Sequence, residues 1–495
     1  MSATTADPVA GGWDVVVVGA GLAGLCAGCR AAELGLSVLV VEQGPEGDYD
    51  CNSRLSGGVL VVGGRSAGDG PDELAAALRR TCGEAMVPAL RDLLADDAGR
   101  VVAWLVDHGA DLVELEFQPG QVFRQVLGPT GLGSPGRRWR GTGADLLLRR
   151  LSADATARGA TVRYGHRADR LVVDDGRVTG VGVVGPTGTS TASSRAVVLA
   201  DGGFQANRRL VGRHIAPDPD GLFLRAASTG QGWGLAAAEA AGAQLVNCNS
   251  FYGHLVSADV VHDDRLWPYP ILDPLVDAGI VVDRHGRRFT DEGLGGVDVT
   301  NKLARRPDPF GFVVCDDNAW RGPATHMRYP PPIDPWLERL GGTVVRADSV
   351  EALAAAIGAD QLVATVAEGG GPDRTAPAGA PRRTAPAGAP RRTAPAGQAI
   401  YAGPRRTAPP AIDTPPFVAI PVVPGITFTM GGPLVDAGAR VISVDGDPIA
   451  GLYAVGASCG GFDGGDDVGY AGGLMKAAVT GVAAAEHIHR SVVAV

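Results

Sequence analysis

Six residues near the start of the chain, Gly19-Ala20-Gly21-Leu22-Ala23-Gly24, have the spacing that lets a backbone wrap a pyrophosphate. Gly19 permits a tight turn, Gly21 lets the backbone approach phosphate oxygens, and Gly24 lets a helix and a strand pack closely. The free N–H groups of a helix starting there would face the phosphates. Glu42, about 20 residues further on, is placed to hydrogen-bond a ribose hydroxyl. An acid at that position favours an unphosphorylated adenosine ribose, as in FAD or NAD.

These residues work only if particular elements carry them. Asp14 to Val18 is a short β-branched run, read as a buried parallel strand leading into the glycines. Leu25 to Leu34 reads as the following helix, ended by Gly35, and Ser37 to Val41 as a second strand closing on Glu42. Two later segments share that logic. Ala196 to Ala200 is an apolar strand running into Asp201-Gly202-Gly203. Gly451 to Ala457 is a late strand, followed by a glycine-rich stretch and a C-terminal helix.

The rest of the chain sets limits. Its 495 residues are too many for one compact core, so two domains are expected. A net charge of −10 argues against nucleic acid and anionic membranes as partners. No apolar run reaches the ~18–20 residues of a membrane span. The small, polar stretch from Met1 to Gly12 does not read as a signal peptide. The seven cysteines are scattered. Cys26 and Cys29 fall in the predicted helix and read as small packing residues, not as a metal or redox pair. No metal site is expected, and a reducing cytoplasm fits this cysteine usage. Basic residues are nearly all Arg; the only lysines are Lys302 and Lys476.

An N-terminal nucleotide unit completed by a strand near the C-terminus favours FAD over NAD. The chain resembles the flavoprotein family of fumarate reductases and succinate dehydrogenases, in its soluble branch. That branch holds 3-ketosteroid Δ1-dehydrogenases and tricarballylate dehydrogenases. The resemblance rests on V-V-V-V-G-A-G-L-A-G, N-S-R-L-S-G-G, V-V-L-A-D-G-G-F, T-G-Q-G-W-G-L, G-R-R-F-T-D-E-G, T-M-G-G and G-L-Y-A-V-G-A, in family order from residue 14 onward. It implies an α/β fold: a Rossmann-type FAD-binding domain in two pieces, 1–254 and 411–495, with an inserted α+β capping domain at 255–410. It also implies flavin contacts at Gln43, Asn52, Ser53, Ser56, Gly57, Gly58, Ala168, Ala200, Asp201, Gly202, Gly456, Ala457, Gly472, Gly473 and Leu474, besides the glycine turn and Glu42. Arg54 stands where membrane-bound succinate dehydrogenases carry a flavin-bonded His, so the FAD is expected to be noncovalent.

The reaction the resemblance implies is desaturation of a C–C bond beside a carbonyl or carboxylate, or the reverse ene-reduction. Hydride would pass to or from flavin N5, and a proton would move at the α-carbon. Fumarate reductases grip two carboxylates with Arg and His, and this chain departs from that pattern. Glu292 is followed by Gly-Leu-Gly-Gly, Thr427 or Phe428 replaces a His, and Tyr470 replaces an Arg. Tyr470 resembles the ketosteroid-dehydrogenase Tyr that polarises a ketone; the other reading is a Tyr packed near the flavin with its hydroxyl tied to backbone. His254 falls where the branch places a substrate-side His, though a buried, satisfied His fits the sequence too. Tyr252 shares either role. Lys302, Arg305 and Arg306 follow the D-E-G element and offer a carboxylate anchor or proton donor, or simply a charged helix face.

Arg374 to Pro409 repeats R-T-A-P-A-G-A-P-R with a period of nine residues. Frequent Pro blocks helix and sheet, so it reads as a disordered or polyproline-II loop in the cap, from repeat slippage or as a partner-binding tether. Two rivals to a dehydrogenase stand: a flavin monooxygenase or oxidase, and a non-catalytic flavin-bound scaffold. The substrate is expected to be a small carbonyl- or carboxylate-bearing molecule. Electrons would leave to a quinone, a dye-like acceptor or another protein.

Overall fold

The computed structural model describes residues 9–130, 138–328, 331–368, 410–465 and 468–493. The Arg374–Pro409 repeat lies outside them. The chain forms two compact units. One takes Met1–Leu115, Phe123–Gly253 and Ile426–Val495; the other takes Glu116–Val122 and His254–Gly425. The sequence reading put the return to the first unit at 411; in the structure it falls at Ile426, partway along the strand Phe417–Thr429.

In the first unit, the β-branched run predicted as a strand is the buried end of Gly11–Val18. It pairs in parallel with Val38–Glu42 on one side and with Gly188–Leu199 on the other. Thr161–Tyr164 extends the sheet beyond Val38–Glu42, and Pro448–Ala454 extends it beyond Gly188–Leu199, both in parallel. The late strand therefore begins earlier than expected and ends at Ala454, before Gly456 and Ala457. The first strand is thus a switch point, with its neighbours on opposite sides, and in such sheets ligands bind beyond the carboxyl ends of the strands at that point. Val15 to Val18 and Val38 to Val41 are all buried, because helices cover the sheet.

Two of those helices matter most for the site. Leu22–Glu33 follows the glycine turn, and its buried face is Ala, Gly, Cys and Leu. Cys26 and Cys29 are both fully buried there. Small residues let Gly473–Val493, the C-terminal helix, lie close against it. At Gly24 the approach is so tight that a Cβ would stand 1.9 Å from the Gly19 carbonyl oxygen, so no other residue fits.

In the second unit, an antiparallel sheet joins Ile280–Asp283, Gly311–Cys315, residues 417–422 and Val345–Ala347. Leu353 and Leu362 pack on Ile280, Val282, Phe312 and Ala419 in one apolar cluster. Two short helices, Val350–Ile357 and Leu362–Ala367, lie on that side of the unit. Gly358 takes a left-handed conformation at the first helix's end and stops it. No helix among the described residues is long and apolar enough to cross a membrane.

Candidate active site

The glycine turn follows the first strand directly, and Gly21 caps the helix Leu22–Glu33 with no side-chain hydrogen bond of its own. The Leu22 N–H donates to Ser53 Oγ at 3.1 Å, tying the helix start to the N-S-R-L segment. A Cβ at Gly21 would approach nothing closer than Ser53 Oγ, at 3.6 Å, and one at Gly202 would meet no atom within 4 Å. The turn therefore presents bare backbone next to a helix N-terminus, which suits a pyrophosphate. Ala23 lies in the first turn of that helix.

Glu42 ends the second strand, buried, with Oε2 accepting from the Ala20 N–H at 2.9 Å and Oε1 from the Gly44 N–H at 2.8 Å. Burial pushes its carboxyl up, and the backbone N–H groups partly counter that. A carboxylate so placed retains acceptor capacity for a ribose hydroxyl. Gln43 reaches Thr229 O at 3.4 Å on the surface.

The N-S-R-L-S-G-G segment is a short helix, Asn52–Leu55, then Ser56, Gly57 and Gly58. Asn52 is bonded on both faces: Nδ2 donates to Thr427 O at 2.8 Å and Oδ1 accepts from the Ala227 N–H at 2.9 Å. Arg225, also buried, donates from Nη1 to Thr427 Oγ1 at 2.9 Å. The Ser56 hydroxyl donates to Ser53 O at 2.7 Å. Arg54 is held between the Tyr49 and Trp139 rings, its guanidinium 3.9 Å and 4.9 Å from their centroids. It pairs with buried Asp145 at 3.0 Å and donates to Tyr49 O at 2.7 Å. Arg54 therefore fastens this segment from behind.

Ala200, Asp201 and Gly202 stand just past the strand Gly188–Leu199. Asp201 Oδ2 accepts from the Gly234 N–H at 2.8 Å, and its Oδ1 lies 3.2 Å from Ser458 Oγ, which in turn accepts from the Gly202 N–H at 2.8 Å. Desolvation raises the Asp201 carboxyl to about 6 against those stabilising hydrogen bonds. Gly456 donates its N–H to Thr480 Oγ1 at 2.9 Å, and Ala457 follows in the same turn. Ala168 is buried in the strand Arg167–Asp174.

Three aromatic rings from distant segments meet in this unit. Tyr252 stacks on Tyr470 at 4.3 Å between centroids and on Phe428 at 5.3 Å. Such pairs contribute about 0.5–1.5 kcal/mol each beyond their buried area. The Tyr470 oxygen accepts from the Gly473 N–H at 2.7 Å, so its hydroxyl hydrogen points away from Gly473. Tyr470 as a whole is half-buried, with protein packed densely around it. That desolvation, with the negative charge of Asp463, raises its phenol and keeps it protonated, while the Gly473 bond works the other way. Gly472 precedes the helix Gly473–Val493, and Leu474 lies in its first turn.

In the second unit, His254 Nδ1 faces Asp273 Oδ2 at 2.8 Å, both residues buried, and this pairing fixes the ring. The R-R-F-T-D-E segment is internally braced: Arg288 Nε bonds Glu292 Oε2 at 2.8 Å, and Glu292 Oε1 accepts from the Val281 N–H at 2.7 Å. Burial raises the Glu292 carboxyl while Arg288 pulls it back. Lys302 spends its charge on buried Asp298 at 2.8 Å, one helical turn back. Arg305 is exposed at the end of that helix, and Arg306 pairs with Asp283 at 2.7 Å.

Sequence reasoning missed four residues here. Arg225 and Thr427 brace Asn52, and Asp463 and Lys476 form a buried ion pair beneath the aromatic rings. The signal for Lys476 was present: it is one of two lysines in a chain that otherwise uses Arg.

A glycine turn at the switch point of a parallel sheet, an acid closing the next strand and a late strand completing the sheet define a flavoprotein-type nucleotide-binding unit. The chain belongs to the FAD binding domain family, whose model matches residues 14–469. FAD is its cofactor, and the open backbone of the glycine turn fits it. The chain is 26% identical over 468 residues to the NADH:fumarate oxidoreductase of Klebsiella pneumoniae, covering 92% of this chain and 45% of that protein. It is 25% identical over 540 residues to the 3-oxosteroid 1-dehydrogenase of Mycobacterium tuberculosis, covering 90% and 92%. It therefore spans less than half of the first relative and most of the second. Among solved structures, a 3-ketosteroid-delta4-(5alpha)-dehydrogenase from Rhodococcus jostii superposes with a TM-score of 0.69 at 23% identity, covering 99% of each chain. That match establishes the fold. A fumarate oxidoreductase and a 3-oxosteroid 1-dehydrogenase are both of the kinds that the sequence motifs resemble.

Proposed function

We propose that this chain, with FAD bound, desaturates a C–C bond beside a carbonyl, or runs the reverse ene-reduction. A ring-shaped ketone is the favoured substrate class. The observation that carries this reading is the Tyr470 phenol, held protonated, bonded to the Gly473 N–H and stacked on Tyr252. When bound, FAD supplies the redox chemistry. Tyr470 donates its hydroxyl hydrogen to the substrate carbonyl oxygen and stabilises the negative charge that grows there as the α-proton leaves. Tyr252 and Phe428 give an apolar wall that suits a flat ring and excludes water.

His254 is the proposed proton-handling group, supported by the Asp273 partner that orients it. Lys302 and Arg305 have no part in this reading, since the first is engaged by Asp298 and the second sits exposed at a helix end. The FAD is proposed to be noncovalent, because Arg54 is committed to Asp145 and two aromatic rings. The electron partner is proposed to be a quinone, a dye-like acceptor or another protein. A cytoplasmic setting is supported by seven cysteines that are all unpaired.

The test is product analysis. The FAD-loaded enzyme is given saturated and α,β-unsaturated cyclic ketones, succinate and fumarate, with a redox dye as electron acceptor or donor. Mass spectrometry should find a ketone lighter by H2 with no inserted oxygen, or its reverse, and His254→Ala should slow that turnover. An oxygenated product, or turnover of the dicarboxylates alone, would contradict the proposal.

A further inference from the structure

We infer that the buried Asp463–Lys476 ion pair is a positioning device for Tyr470, fixing the three aromatic-bearing segments relative to one another. This rests on the proposed role of Tyr470. Neither side chain was assigned any task by the sequence, and both are essentially sealed from solvent.

Asp463 reaches in three directions. Its Oδ1 accepts from the Ala471 N–H at 2.7 Å, the peptide immediately after Tyr470. Its Oδ2 pairs with Lys476 Nζ, in the first turn of the helix whose Gly473 N–H bonds the Tyr470 oxygen. Its backbone carbonyl accepts from Asn247 Nδ2 at 2.7 Å, in the segment that leads to Tyr252. Asn247 holds a left-handed backbone there, with φ of 53°. Ser250, just beyond it, accepts at its carbonyl from the Met430 N–H at 3.0 Å, next to the Phe428 segment. Lys476 Nζ also lies 5.5 Å from the centroid of the Phe428 ring. The pair thus touches, directly or through one residue, every segment that contributes a ring.

A buried ion pair is a poor device for stability alone, because apolar residues of similar size are often neutral or better. It is a good device for direction. Each carboxylate oxygen fixes one partner, and the ammonium neutralises the charge that would otherwise stand beneath the phenol. The aromatic wall therefore stays apolar and without a net charge to attract a carboxylate.

The experiment uses FAD-loaded protein labelled with 3-fluorotyrosine. The chain has 8 Tyr, and the Tyr470 resonance is the one lost in Tyr470→Phe. The double variant Asp463→Leu/Lys476→Met removes both charges together. It is expected to stay folded and yellow, with the Tyr470 19F resonance shifted or broadened. Its kcat on a substrate ketone should fall about 10- to 100-fold while KM changes by less than about threefold. If the double variant does not fold, Lys476→Arg, which keeps the charge but changes its geometry, is read at the same resonance and should move it. A folded, FAD-loaded double variant whose Tyr470 resonance matches the wild type would overturn the inference, as would an unmoved resonance in Lys476→Arg where the double variant fails. A shifted resonance together with unimpaired turnover by Tyr470→Phe would uphold the positioning role and overturn the catalytic role of Tyr470.

Discussion

The nucleotide cradle is mostly backbone, closed by the Glu42 carboxylate; the aromatic cluster is built of side chains delivered by three distant segments. The cradle is set by local sequence: a strand, a turn too tight for any side chain at Gly24, and a helix N-terminus follow within one short stretch. The cluster depends on tertiary placement, since Tyr252, Phe428 and Tyr470 come from segments far apart in the chain. On the proposed reading, binding of the cofactor and chemistry on the substrate are thus vulnerable to different kinds of damage.

The sharpest way to break that separation is at Gly24. Valine there would collide with the Gly19 carbonyl, and the expected outcome is protein purified without colour that reconstitution with FAD does not rescue. A yellow Gly24→Val with full FAD content would show that the turn is not the cofactor's seat. Next comes Arg54→Leu. It strips buried Asp145 of one partner and empties the slot between Tyr49 and Trp139, although Arg149 and the Gly141 N–H still hold that carboxylate. A loss of about 3–5 kcal/mol of stability is expected, measured by denaturant unfolding, with flavin dissociating earlier in the transition.

The smallest expected effect is a pH dependence at Asp201. Its folded carboxyl stands near 6, above the ordinary 3.8. A raised acid favours the protonated folded state, so its contribution to stability is fullest below the ordinary value and is lost as pH rises through 6. Asp201→Asn should flatten the stability profile between about pH 4 and 6 and raise stability at pH 7 by on the order of 1 kcal/mol. Melting curves across that range check it; an unchanged profile would remove Asp201 from the account.

Much of the cradle was legible because its signals are short-range. Gly19 to Gly24, Glu42 and the two flanking strands are dictated by turn geometry and a β-branched run, and they stand where the spacing put them. The late strand was legible in kind but misjudged in extent, because the turn at Gly456 looks in sequence like more strand. For Tyr470 the sequence offered a candidate and no reason for its placement. The reason lies in Asp463 and Asn247: one partner of Asp463 is Ala471 on the same segment and the other is Asn247, far away in the chain, and neither contact leaves a periodic trace. Lys302 shows the converse: a suggestive position whose charge is taken up by a neighbour one helical turn away.

Anaerobic reduction of the bound flavin shows whether the proposed C–C oxidoreduction depends on Tyr470 polarising a carbonyl. Wild type and Tyr470→Phe, matched for FAD content, are mixed with the same saturated cyclic ketone, and the flavin absorption band is followed. Rapid bleaching of the wild type is expected, with a loss of about 10²- to 10³-fold in rate for the variant while FAD stays bound. Equal bleaching rates in the two proteins, or a wild type that no ketone bleaches, would contradict it.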